Sequence, residues 1–104
     1  MKIHDKEVGF LYTVGAFCDY NDYVVKNPEV SVATANLYKA ELMSRAYAKV
    51  HKDEGAEPVT VNELRELMLY ELEDVLNAVK AAETAGSKRN VETVETGKKR
   101  AKSN

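Results

Sequence analysis

Residues 60–84, TVNELRELMLYELEDVLNAVKAAET, form the longest run of this chain in which apolar residues recur at helical spacing. Thr60 followed by Glu63 fits a capping box, in which the hydroxyl and the carboxylate each accept a hydrogen bond from a free backbone N–H. Gly86 can adopt the left-handed conformation that ends many helices. The stretch therefore predicts one long helix, whose packing stripe consists of Val61, Leu64, Met68, Leu72, Val75 and Val79.

Three further elements are predicted before this helix. Residues 1–12 alternate apolar and polar side chains on either side of a turn at residues 4–6, a pattern typical of a β-hairpin. Thr13 can cap a first helix, which should end before Pro28. A second long helix is predicted over residues 32–52, and its alanines would let the helix from Thr60 approach closely. We expect the first helix to pack through one apolar face, formed by Val14, Phe17, Cys18 and Val25.

Length and composition indicate a single domain. With 104 residues, 44% of them hydrophobic, the chain has material for one modest core. The predicted fold class is mainly α, with a short N-terminal β-hairpin followed by about three helices packed as a small bundle. We expect this helical domain to span residues 1–86. Residues 87–104 contain few apolar side chains and are predicted to form a flexible, disordered basic tail.

Charge separates these two parts of the chain. Residues 1–84 carry nine Lys and Arg against fifteen Asp and Glu, whereas residues 85–104 carry six against two.

The single cysteine, Cys18, allows no internal disulfide, and two histidines are too few for a structural zinc site, so no metal or other cofactor is expected. No apolar run reaches the roughly 20 residues of a membrane span, and the N-terminus lacks a signal-peptide core, so a cytoplasmic location is expected.

No pattern of catalytic residues stands out, so an enzyme is not expected. The carboxylates of the Thr60 stretch fall on its polar face, and the two histidines have no nucleophile near them in the sequence.

Residues that could bind a protein partner are easier to find. Leu67 and Tyr70 lie off the predicted packing stripe, three residues apart, and Tyr20 and Tyr23 belong to a residue type common at interfaces.

The basic cluster of the tail supports an alternative function. Lys98, Lys99, Arg100 and Lys102 could contact the phosphates of nucleic acid, so a small nucleic-acid-binding regulatory protein is the competing hypothesis. The second helix and the Thr60 helix would then form the DNA-binding unit. Against it, the predicted solvent face of the Thr60 helix is acidic, whereas a helix that reads the major groove should present cationic or amide side chains. Specific nucleic acid binding is therefore not expected.

The opening residues 2–17, KIHDKEVGFLYTVGAF, resemble the start of tail assembly chaperones of long-tailed bacteriophages and prophages. In that family a Lys-Glu pair precedes an apolar, aromatic strand that continues into a helix. A compact helical body, a late helix rich in Glu and Leu, and a Lys-rich C-terminus are also similar. The resemblance implies a cytoplasmic chaperone that binds the tape measure protein and keeps it soluble until the tail tube polymerises. Self-association remains open.

Overall fold

The structure, a computed structural model, describes residues 1–87 of the chain. In this part, two short strands, β1 (Lys2–Ile3) and β2 (Lys6–Glu7), precede four α-helices: α1 (Val14–Lys26), α2 (Val32–Val50), α3 (Val61–Arg65) and α4 (Leu69–Ser87). The predicted fold class, mainly helical with an N-terminal hairpin, is confirmed. The predicted tail lies outside the described residues, apart from Ser87, which is the last residue of α4.

The hairpin is shorter than predicted and is fixed to α3. His4 and Asp5 form its turn with positive φ angles of 51° and 65°, as a tight two-residue turn between twisted strands requires. The His4 Nε2 atom lies 2.9 Å from the carbonyl oxygen of Glu63, and the Lys6 amine lies 2.8 Å from the Glu63 carboxylate. Beyond Glu7, the Met1 amine donates to the Val8 carbonyl and the Val8 N–H donates to the Met1 carbonyl, both at 2.8 Å. The chain then reaches α2, where the Leu11 N–H donates to the Met43 carbonyl at 3.1 Å.

Side-chain caps fix the starts of three helices. Thr13, Ser31 and Thr60 each accept a hydrogen bond from the backbone N–H three residues later, at 3.1, 3.0 and 3.1 Å. The Glu63 carboxylate in turn accepts from the Thr60 N–H at 2.9 Å, so the predicted capping box is present. These contacts satisfy N–H groups that have no partner within the helix.

The predicted long helix from Thr60 is broken into α3 and α4, which is why four helices are found where about three were expected. At the second start, the Glu71 carboxylate accepts from the Met68 N–H at 2.8 Å, as the third-residue carboxylate of a capping box does. Gly86 lies inside α4 and does not end it with a left-handed turn. A Cβ at Gly86 would come within 2.7 Å of the Tyr12 carbonyl oxygen, so this glycine permits close approach.

The core forms around α2, which contacts α1, α3 and α4. Two polar side chains are buried within it, and both are satisfied. The Ser44 hydroxyl accepts from the Val59 N–H at 2.9 Å, and the Glu41 carboxylate accepts from the Val61 N–H at 2.8 Å and pairs with Arg45. The buried apolar cluster consists of Ile3, Val8, Phe10, Ala16, Leu37, Ala40, Leu42, Met43, Val59, Leu64, Val75 and Val79. None of the helices described is long and apolar enough to cross a bilayer.

Candidate protein-binding surface

The outward side of α1 is apolar and open to solvent. At 100° per residue, one arc of this helix contains Val14, Phe17, Cys18, Asn21, Val24 and Val25, which we call the α1 outer face. Its large apolar residues Val14, Phe17, Val24 and Val25 are 79%, 50%, 37% and 78% exposed. Cys18 is a free, exposed thiol on the same arc. The face runs about 16 Å along the helix, since each residue adds about 1.5 Å.

The opposite side of α1 packs against the body through a small residue and two tyrosines. Ala16 is the one buried residue of this helix. The Lys39 amine lies 4.6 Å from the centroid of the Tyr20 ring and 2.8 Å from the Glu83 carboxylate on α4, so it connects three helices. The Tyr23 ring stacks on Tyr38 at a centroid distance of 4.0 Å. These contacts fix the orientation of α1 and direct its outer face away from the core.

The predicted packing face of α1 is therefore wrong. Val14, Phe17, Cys18 and Val25 share one side of the helix, as predicted, but that side faces solvent. The short side chain of Ala16 lets α2 approach α1 closely, whereas Val14 or Val25 at the contact would hold the two helices apart. Val24 is also exposed on this arc, although the sequence analysis did not include it. Its position seven residues after Phe17 places it on the same side of the helix and could have identified it.

A second exposed apolar group lies where α3 meets α4. The consecutive residues Met68, Leu69 and Tyr70 are 61%, 73% and 68% exposed, and we call them the junction ridge. Met68 was predicted to lie on the packing stripe. It is exposed because the helix ends before it and restarts after it, which turns this residue away from the line of Leu64 and Val75.

The residues predicted to bind a partner lie in different environments. Tyr70 belongs to the exposed junction ridge, whereas Leu67 packs against the core, so the two do not form one open surface. Tyr20 and Tyr23 are half-buried in the contacts of α1 with α2. The predicted tail cluster Lys98, Lys99, Arg100 and Lys102 lies outside the described residues.

Three titratable side chains of the described residues make structural contacts. The hydrogen bond from Lys6, followed by that from the Thr60 N–H, lowers the pKa of Glu63 below its ordinary value of 4.5. His51 stacks on the Tyr47 ring at 4.2 Å, and His4 contacts the first turn of α3. Within residues 1–87, no three His, Cys, Asp or Glu side chains are grouped so that they could hold a metal ion.

Comparisons of this chain with models of known protein families, with curated proteins and with solved structures found no match. The α1 outer face exposes four large apolar residues, and the junction ridge exposes three.

Proposed function

We propose that this protein is a tail assembly chaperone of a long-tailed bacteriophage or prophage, which binds the tape measure protein and keeps it soluble before the tail tube polymerises. The family was suggested by the resemblance of residues 2–17. The observation that supports a binding function is the α1 outer face, where four large apolar side chains are exposed on one helix. No catalytic step is part of the proposal.

The α1 outer face suits a long helical client. Its apolar residues recur at steps of three, four and seven, so an amphipathic helix can pack along it by interleaving side chains at the same spacing. Burying apolar surface contributes roughly 25 cal/mol per Å² before the costs of association, so covering these exposed side chains would favour binding of the client.

The test is co-expression with the tape measure protein encoded in the same genome, followed by measurement of how much of that protein remains in solution after centrifugation. Variant Val14→Asp with Val25→Lys places one charge at each end of the α1 outer face. The signs follow the helix dipole, so we expect helix stability to be preserved. The control, Val32→Asp with Val50→Lys, makes the same changes at the first and last residues of α2, where both valines are also exposed.

We expect the unaltered protein and the control to keep the tape measure protein in solution, and the α1 variant to fail. Circular dichroism should show the same helix content in all three proteins. If the unaltered protein does not raise the soluble fraction, the proposed function is wrong. If the α1 variant works as well as the control, the client binds another surface.

A further inference from the structure

The junction ridge is surrounded by acidic side chains. Between residues 65 and 74 the chain carries four carboxylates, Glu66, Glu71, Glu73 and Asp74, against the single cation Arg65. All four carboxylate residues are exposed. Within the described residues, Glu71, Glu73 and Asp74 have no ion-pair partner, and Glu66 has only the His4 ring at 3.8 Å. The local charge around the exposed apolar residues is therefore strongly negative.

Helix geometry places the apolar and acidic side chains beside each other. Leu69 and Glu73 are four residues apart on α4, and so are Tyr70 and Asp74, so each apolar side chain has a carboxylate one turn further on. The Glu71 carboxylate is held at the helix start by its bond to the Met68 N–H. The surface thus offers apolar contact and negative charge within one helical turn.

From this arrangement we propose that the junction ridge is a second docking surface, whose occupant is a cationic amphipathic helix of another protein. Such a helix would bury its apolar side chains on Met68, Leu69 and Tyr70. It would place Lys or Arg side chains beside Glu73 and Asp74, and a cation could also lie over the Tyr70 ring. Charge complementarity selects this partner, because an acidic helix would be repelled by the same carboxylates.

The second surface is separate from the first. Leu69 and Ser87 are the two ends of α4, about 27 Å apart along the helix axis. Gly86 and Ser87 line a shallow groove with Val14 and Phe17, so the near end of the α1 outer face lies at the far end of α4 from the junction ridge. This proposal does not depend on the identity of the client.

Nuclear magnetic resonance titration of the full ¹⁵N-labelled chain tests the proposal. The probe is a synthetic helical peptide of Leu and Lys, about 18 residues or five turns long, with leucines at steps of three and four. A peptide of the same composition in scrambled order removes the apolar face, and a peptide with Glu in place of Lys reverses the charge. We expect the amide shifts of residues 66–74 to move with the first peptide, with affinity falling as salt is added.

Variants separate this surface from general attraction to an acidic protein. Leu69→Ser with Tyr70→Ser should weaken binding of the Leu and Lys peptide by about tenfold or more. The matched control Val32→Ser with Val50→Ser, at the exposed ends of α2, should leave the affinity within about twofold, which is less than about 0.5 kcal/mol. Equal binding of the scrambled or the Glu peptide would overturn the proposal, as would shifts that map to α1 and leave residues 66–74 unmoved. Amide shifts of residues 66–74 that depend on protein concentration without peptide would also overturn it, since a second copy would then be the occupant.

Discussion

Helices α1 and α2 contact each other but differ in how they bury their side chains. α1 buries one residue, Ala16, and leaves most of its large apolar residues exposed. α2 buries eight residues, including the polar Glu41 and Ser44. The reason is the number of neighbours, because α2 is covered by α1, α3, α4 and the crossing segment at Leu11, whereas α1 packs mainly on α2. An apolar pattern shows which side of a helix can pack, but the neighbouring elements determine whether that side is buried.

The largest expected difference between the two helices is in stability. Met43 on α2 is fully buried, so Met43→Ala should lower the free energy of unfolding by about 2–5 kcal/mol, through lost apolar contact and the cavity left behind. The same truncation on the α1 outer face, Val25→Ala, should change it by about 0.5 kcal/mol or less. Urea unfolding of both variants makes the measurement. Similar costs at the two positions would mean that α1 is covered on both sides.

A smaller effect is expected at the buried polar group of α2. Ser44→Ala removes the acceptor for the buried Val59 N–H and should cost about 1–3 kcal/mol in urea unfolding. The control is Thr84→Ala, because the Thr84 hydroxyl bonds the carbonyl of Lys80 in its own helix at 3.1 Å but is exposed. Equal costs for the two variants would show that the Val59 contact does not stabilise the core.

The capped helix starts were predictable from the sequence, because a cap depends on a few neighbouring residues. Thr13 and the Thr60–Glu63 capping box were identified from the side chains alone and are present. The break before α4 was missed, since Val75 and Val79 continue the apolar spacing across it. The position of Glu71, three residues after Met68, could have indicated a second helix start, because its carboxylate can accept from the Met68 N–H.

The candidate surfaces were harder to predict because exposure depends on the whole fold. The sequence grouped Val14, Phe17, Cys18 and Val25 correctly, but an apolar arc that packs inward has the same pattern as one that binds a partner. Tyr70 was singled out and is exposed, whereas Leu67 packs against the core once α3 and α4 separate. Whether Tyr70, Tyr20 or Tyr23 binds a partner stays a prediction.

The smallest expected effect is a pH-dependent change in stability at the contact between the hairpin and α3, where Lys6 pairs with Glu63. Lys6 and the Thr60 N–H lower the pKa of Glu63, so this carboxylate stabilises the fold above its ordinary pKa of 4.5 and loses that contribution as pH falls through its lower pKa in the folded protein. Lys6→Gln should therefore reduce stability at pH 7, and the difference from the unaltered protein should shrink as the solution is made more acidic than about pH 4.5.

Thermal unfolding of both proteins across this pH range measures the difference. Lys80→Gln on the exposed side of α4 is the control, because Lys80 forms no ion pair within residues 1–87. A difference between Lys6→Gln and the unaltered protein that stays constant with pH would mean that Lys6 stabilises the hairpin through its bond to the Pro58 carbonyl instead.

Whether the α1 outer face is open in the free protein and covered by the client can be measured at Cys18. This residue is the only cysteine of the chain and lies on that face. Its rate of reaction with a thiol reagent should be close to that of the urea-unfolded chain when the protein is free, and should fall by about tenfold or more in the complex with the tape measure protein. A thiol that reacts in the free protein only as fast as the fold opens would contradict the account, because the α1 outer face would then be buried.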